Sequence, residues 1–217
     1  MRTALAVIIL ALFSVMPASA TDHDANFLIK RAGKVIGFHQ VDISKTANGM
    51  LVETTIRIRV KFGPIPLFRY EHKAVEEWRG GELYSLTSET NNNGEDCFVR
   101  LARADDGFEI DGSGFSGIAP FSAMPPSYWN KDLIKANSLI NTQTGELIEV
   151  TVTELGHTSA PHQIRAEQYR IVGTLALDLW YDGPQWVGSN FTIDGEELTY
   201  ELAPQAREYA KHDDSAD

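Results

Sequence analysis

The sequence predicts a mainly β protein: a single-domain antiparallel meander forming an open or spiral half-barrel, with one short helix near residues 127–137. Three observations support this. Apolar and polar residues alternate over short runs, turn residues such as Asn-Gly and Asp-Gly separate the runs, and one stretch shows helical spacing. Regularly spaced short strands of this kind are typical of sandwiches and barrels.

Seven strands are predicted in the first half, at residues 26–31, 35–44, 55–62, 67–78, 83–90, 96–104 and 108–111. The dipeptide Asn48-Gly49 is a strong hairpin signal before the third strand. In that strand Ile56 and Ile58 alternate with Arg57 and Arg59, so one face packs and the other meets water. One face of the fourth strand carries Phe68, Tyr70, His72, Ala74, Glu76 and Trp78.

A stretch rich in Gly, Pro and Ser interrupts the meander at residues 112–141. Within it, Ser127 is a candidate helix N-cap. The residues Trp129, Leu133, Ala136 and Ile140 then follow at steps of four, three and four, which places them on one face of a helix. We therefore expect a short amphipathic helix that lies against the sheet.

Strands resume at residues 147–155, 163–172, 174–182, 186–193 and 198–203. No repeat, linker or second domain is evident, so we expect one β domain over residues 21–203. Residues 204–217 are polar and acidic, and we expect them to be a disordered tail.

The N-terminus has the pattern of a secretory signal peptide. Arg2 precedes an uncharged apolar run at residues 4–16, and Ala18-Ser19-Ala20 is a small-x-small cleavage site. We expect cleavage between Ala20 and Thr21 and a periplasmic or secreted mature chain. The apolar run is too short for a membrane span, and no later segment is a candidate for one.

Charge and cysteine content exclude one class of partner and one kind of covalent bond. The formal net charge is −11, and removal of Arg2 with the signal peptide makes it −12, so we expect no nucleic-acid partner. Cys97 is the single cysteine, so no intramolecular disulfide can form.

Motifs for familiar chemistry are weak or missing. The run from Gly112 to Gly117 lacks the spacing of a nucleophile elbow, and no nucleotide-binding fingerprint is present. His157 and His162 lie in a proline-containing turn without nearby carboxylates, which is a poor metal template. We predict neither a metal site nor a cofactor.

Three ionisable residues share the predicted inner face of the sheet. His39 lies on the apolar face of its strand, and His72 and Glu76 lie on the aromatic face of theirs. Unpaired burial of such groups is costly, so they either pair as structural polar residues or line a wet cavity. In the second case His72 is a candidate general base, oriented by Glu76, with His39 nearby.

Aromatic residues are the candidate lining of a binding groove on this face. The candidates are Phe68, Tyr70, Trp78, Tyr128, Trp129 and Trp180. For Tyr128 and Trp129 a structural alternative is that the two rings plug the end of an open β-structure.

These residues also carry a resemblance to a family of exported bacterial proteins, domain of unknown function 6134. It lies in Gly37-x-His39, Arg69-Tyr70-x-His72, Glu77-Trp78, Asn91-Asn92-Asn93-Gly94, Tyr128-Trp129-Asn130, Trp180-Tyr181-Asp182, Trp186 and Phe191. It covers residues 27–202 and implies a fold and a compartment but no activity. More loosely, the meander resembles periplasmic lipoprotein carriers and envelope proteins with spiral β-folds.

Two main hypotheses of function follow. The first is a non-catalytic periplasmic binding or envelope-maintenance protein, whose aromatic groove holds an apolar small molecule, a lipid or a segment of an envelope protein. The alternative is a small hydrolase-type enzyme that uses the inward His/Glu pair. A third hypothesis is an assembly partner that pairs through exposed edge strands.

Overall fold

The computed structural model describes residues 25–62, 65–174, 176–193 and 195–203. The predicted signal peptide and the predicted acidic tail lie outside the described residues. The strands are β1 Ala25–Arg31, β2 Lys34–Thr46, β3 Gly49–Phe62, β4 Ile65–Arg79, β5 Glu82–Asn92, β6 Glu95–Arg103, β7 Phe108–Gly112, β8 Ser116–Ala119, β9 Ser138–Ile140, β10 Leu147–Glu149, β11 Thr151–Ser159, β12 Arg165–Val172, β13 Ala176–Asp182, β14 Gln185–Ile193 and β15 Glu196–Leu202.

Thirteen strands form one antiparallel sheet in the order β11-β12-β13-β14-β15-β1-β2-β3-β4-β5-β6-β7-β8. The first and last strands are neighbours in this sheet, with Phe27 opposite Leu202. The strands β9 and β10 form a separate two-stranded hairpin. The edge strands β8 and β11 do not pair with each other, so the sheet stays open and the predicted mainly β, open architecture is confirmed.

The chain between the two edges, residues 120–150, forms what we call the central segment, which the sheet encloses. Ser127 contacts Glu76 on β4, and the backbone carbonyl of Tyr128 accepts a hydrogen bond from Tyr181 on β13. Those strands are six steps apart in the sheet, which is roughly 29 Å at about 4.8 Å per step if the sheet were flat. Since both contact adjacent residues, the sheet must curl strongly around the central segment.

Side-chain alternation fixes which residues face inward. Directly opposed residues of an antiparallel pair lie on the same face, so each row across the sheet is uniform in direction. One inward row runs through Ile43, Val52, Glu76 and Leu86, and all four are buried. Glu76 is therefore a single carboxyl in an apolar row.

Helical structure in the described residues is confined to two short 3-10 segments, Lys131–Lys135 and Pro161–Gln163. The helix predicted at 127–137 is thus shorter than expected and not an α-helix. Its cap is Asn130, whose side chain accepts a hydrogen bond from the backbone N–H of Asp132. Ser127, the predicted cap, donates to Glu76 instead.

Candidate functional site

The two candidate histidines lie on the same face of the sheet and in the same row. His39 on β2 is opposite Ile56 on β3, and Ile56 is opposite His72 on β4. Phe27 and Thr90 continue the row on either side. The alternation of strand residues thus brings both imidazoles into the concave interior.

This interior contains a cavity of about 310 Å³, which we call the inner cavity. Strands β2 to β4 form one wall, and the central segment with β12 and β13 forms the other. Its lining includes His39, Val41, Thr54, Ile56, Tyr70, His72, Ala74, Glu76, Ser127, Tyr128, Trp129, Ile140, Asn141, Thr142, Gln143, Ile148, Val150, Ile171 and Leu177. The volume lies at the lower end of the range for small-molecule pockets.

His39 is an imidazole enclosed by aromatic rings. Its ring centre is 5.1 Å from that of Trp186, 5.7 Å from that of Tyr200 and 6.3 Å from that of Tyr128. Burial, and secondarily the charge of nearby His72, lowers the pKa of His39 to about 3. The ring is therefore neutral at pH 7, and its Nδ1 has no hydrogen-bond partner.

His72 is also buried, but it is paired. Its Nδ1 lies 2.7 Å from the hydroxyl of Thr90, and its ring stacks on Tyr70 with centres 6.4 Å apart. Burial lowers the pKa of His72 to about 4, so this ring is neutral at pH 7 as well.

Glu76 lines the inner cavity and is held in place by two hydrogen bonds. Its two oxygens accept hydrogen bonds of 2.7 Å from the hydroxyl of Ser127 and from the indole N–H of Trp78. Burial raises the pKa of this carboxyl, and these donors oppose the rise. The indole N–H of Trp129 acts on the carboxyl in the same direction, although it lacks the geometry of a hydrogen bond.

A second space of about 480 Å³, the outer cavity, adjoins the inner one. The two cavities share the lining residues Ile56, Tyr70, Tyr128 and Gln143. The rest of the outer lining is Arg31, Ile36, Ile58, Val60, Leu67, Phe68, Phe191, Ile193, Glu196, Leu198 and Tyr200. Arg31 and Glu196 form an ion pair with each other at 2.9 Å, and most of the remaining lining is apolar.

The structure brings together most, but not all, of the predicted lining. Tyr70, Tyr128 and Trp129 line the inner cavity, and Phe68 lines the outer one. Trp78 lies behind the lining, with its ring 5.3 Å from that of Trp129 and at right angles to it.

The prediction that Trp180 lines the binding groove is wrong, because its side chain faces away from both cavities. It packs on the other side of the sheet with Ala160, Ala166 and Val187, and its indole N–H donates to Thr158 at 2.8 Å. Its neighbour Tyr181 occupies the inward position. Successive strand residues alternate between faces, so Trp180 and Tyr181 cannot both line the interior.

The expected base-and-orienter pair does not form. His72 bonds to Thr90, while Glu76 is two positions further along the same face and bonds to Ser127 and Trp78. A histidine with a pKa of about 4 is also far from the value that suits a general base at neutral pH. Both features argue against the predicted role of His72 as a general base oriented by Glu76.

Sequence reasoning missed several residues of the site. Thr90, Asn141, Thr142 and Gln143 were not singled out, yet Thr90 pairs with His72 and the other three line the inner cavity. The only available signal for Thr90 was its cross-strand position opposite His72. The turn at 141–143 is held by the hydroxyl of Ser88, which donates a hydrogen bond of 2.6 Å to the carbonyl of Thr142. No local sequence pattern indicates this contact.

Over the described part of the chain, no three His, Cys, Asp or Glu side chains are close enough to hold a metal ion. Within the same residues, no helix is both long and apolar enough to cross a bilayer.

Fold and site together define a class: a single open antiparallel sheet, barrel-like in shape, that encloses an internal cavity. A solved structure with a similar fold is the "Beta-barrel-like Protein of Domain of Unknown Function DUF1849 from Brucella abortus". It aligns with a TM-score of 0.58 and 8% identity, over 83% of this chain and 94% of that one, so the likeness is one of fold.

The chain itself belongs to the family described as Domain of unknown function (DUF6134), which it matches over residues 27–203. The resemblance seen in the sequence motifs is thereby confirmed. No curated protein matches this chain.

Proposed function

We propose that this protein is an exported, non-catalytic binding protein that holds an apolar small molecule in the concave face of its sheet. The observation that carries this proposal is the pair of adjoining cavities, of about 310 and 480 Å³, inside the curled sheet. Pockets of this size that are mostly apolar, with a few placed polar groups, are typical of small-molecule sites.

The electrostatics of the interior support binding rather than catalysis. Both histidines are uncharged at pH 7, and Glu76 is already satisfied by two donors. The outer cavity opens past exposed apolar side chains, with Leu67 at 59% and Ile193 at 45% exposure. An apolar rim of this kind favours entry of an apolar molecule or of a partner's apolar segment.

Export is the second part of the proposal and rests on the sequence. Arg2, the apolar run at residues 4–16 and the small residues before Thr21 support a signal peptide and a periplasmic or secreted mature chain. An envelope-maintenance role is compatible with that compartment. The intact mass of protein recovered from the periplasm tests it, and we expect a chain that begins at Thr21.

The binding proposal is tested by titrating the mature protein with 1,6-diphenylhexatriene, a hydrocarbon fluorophore that emits only in apolar surroundings. We expect a saturable increase in emission with one site per chain. Native mass spectrometry of the protein purified from its own compartment is the companion experiment, and we expect a small mass that is lost on denaturation.

A matched pair of variants locates the site. Ala74 is buried and lines the inner cavity, whereas Ala102 is exposed on β6. Ala74→Leu places a larger side chain in the cavity and should weaken fluorophore binding, while Ala102→Leu should not. Absence of saturable binding in the folded wild type would contradict the proposal, and a bound peptide in place of a small mass would identify a partner segment as the occupant.

A further inference from the structure

We propose that the ligand is an uncharged single-chain amphiphile with a hydroxyl head, which meets His39 in the inner cavity while its hydrocarbon chain lies in the outer cavity. This inference rests on the proposed function and adds the chemical class of the ligand. Three features of the structure support it: an unpartnered polar atom of His39, the absence of lysine and arginine from the inner lining, and the continuity of the two cavities.

His39 carries a buried polar atom without a partner. Among the described residues, its Nδ1 is one of three buried side-chain nitrogen or oxygen atoms that have no hydrogen-bond partner, and His39 lines the inner cavity. The Nε1 of Trp129 is another of the three, but it acts on the carboxyl of Glu76. His39 is only 4% exposed. A buried polar atom without a partner is costly, so the site is suited to a ligand that supplies one.

A hydroxyl group fits the unpartnered Nδ1 of His39. The Nδ1 of a neutral imidazole is a donor in one tautomer and an acceptor in the other, and a hydroxyl can pair with either. A pure hydrocarbon would leave this atom unsatisfied.

Charge excludes ionised heads. No lysine or arginine is among the residues that line the inner cavity, and the two histidines there carry no charge at pH 7. A carboxylate or phosphate head would therefore lose its hydration without gaining a countercharge. A cationic head would find only Glu76, whose oxygens are occupied by Ser127 and Trp78.

The outer cavity can hold the hydrocarbon chain of the ligand. It continues from the inner one past Tyr70 and Tyr128, which line both, and its walls include Ile58, Val60 and Phe68. Each methylene buried there adds affinity, so burial of the hydrocarbon chain supplies affinity and the head group supplies selectivity.

The test is displacement of bound 1,6-diphenylhexatriene at pH 7.5 by three competitors that share a twelve-carbon chain, each below its micellar concentration or solubility limit. These are 1-dodecanol, dodecanoate and dodecyltrimethylammonium. We expect dodecanol to displace the fluorophore at a concentration at least tenfold lower than either ion. Equal or better displacement by an ion would overturn the inference while leaving the proposed function intact, whereas failure of the fluorophore to bind would overturn both.

One variant tests the head-group contact itself. His39→Phe keeps an aromatic ring and removes the unsatisfied Nδ1. We expect the affinity for dodecanol, relative to the affinity for the hydrocarbon fluorophore, to fall about tenfold, as for the loss of one hydrogen bond. If the variant fails to fold, the competitor series carries the test, and an unchanged ratio of the two affinities in the folded variant would overturn the inference.

Discussion

Ser127 donates a hydrogen bond of 2.7 Å to Glu76 across 51 residues of sequence, and both side chains are buried. With the indole of Trp78 on the other oxygen, this bond accounts for the carboxyl in an otherwise apolar row. It also fastens the central segment to β4, while the hydroxyl of Tyr181 fastens it to β13 at 2.8 Å. The walls of the inner cavity are thus joined through two adjacent residues of one loop.

Removal of this bond should destabilise the fold. In Ser127→Ala, Glu76 keeps its burial but loses one donor, so its pKa should rise further and the free energy of unfolding should fall by about 1–3 kcal/mol. Urea unfolding at pH 7 measures the change. The control is Ser44→Ala, since Ser44 is exposed near the end of β2. Equal unfolding midpoints for the two variants would contradict a structural role for the Ser127 bond.

Stability should fall as the pH drops below 6.5. The unfolded chain protonates its histidines near 6.5, whereas folded His39 and His72 protonate only near 3 and 4. Their contribution is complete above pH 6.5 and is lost as the pH falls towards those values, by about 1.4 kcal/mol per pH unit for each group. Glu76 acts in the opposite sense, because its pKa is raised and its protonation favours the folded state.

Comparison with His39→Phe isolates one of these contributions. Between pH 6 and pH 5, the unfolding free energy of the variant should decline less steeply than that of the wild type, by about 1.4 kcal/mol per pH unit. Over this range the carboxylates with lowered pKa values, such as Glu71 and Glu167, remain ionised in both proteins. Parallel pH profiles would show that folded His39 is not kept neutral.

Gly37→Ala should damage both the fold and the site. A β-carbon at Gly37 would lie 2.0 Å from the carbonyl oxygen of Arg57, so β2 and β3 would have to separate two residues from His39. We expect a loss of about 1–3 kcal/mol and weaker binding of the hydrocarbon fluorophore. At Gly80 a β-carbon meets nothing within 4 Å, although φ is +58°. Gly80→Ala should therefore cost only backbone strain and leave binding unchanged, and a loss of binding there would count against the Gly37 argument.

Mutations can distinguish the roles of the two faces of the sheet. Trp180→Phe removes the hydrogen bond to Thr158 on the face opposite the cavities, so it should lower stability and leave fluorophore affinity unchanged. Phe68→Ala removes a ring from the outer cavity and should weaken binding about tenfold. Titration of both variants checks the assignment, which fails if Trp180→Phe is the one that loses binding.

Strand alternation predicted the fold well and also the shared face of the ionisable residues. His39, His72 and Glu76 were assigned inward from spacing alone, and all three line one cavity. Their partners could not be predicted, because Thr90 and Ser127 are brought to them by strand register and by the path of a loop. Trp180 was misplaced because aromatic character was weighed above the alternation that puts Tyr181 inward.

The predicted helix shows a different limit. The spacing of Trp129, Leu133 and Ala136 does coincide with a helical turn, but the turn spans only Lys131–Lys135. Beyond it Leu139 forms a bridge with Met124, and Ile140 pairs with Leu147 in a hairpin. These pairings within the central segment hold residues 138–140 in extended backbone, so tertiary contacts override the local periodicity.

The pairing of β1 with β15 has a consequence for how the chain is made. Phe27 on β1 pairs with Leu202 on β15. One hydrogen-bonding edge of β1, near the middle of the sheet, therefore stays unpaired until β15 has left the ribosome. A contact of such high sequence separation makes folding slow and leaves the nascent chain open to pairing with other chains. Because β1 and β15 are neighbours, a circular permutant is possible in which a short peptide joins these two strands and new termini are placed in a surface turn. Such a permutant would keep every strand pairing of the sheet and would let the middle of the sheet form first.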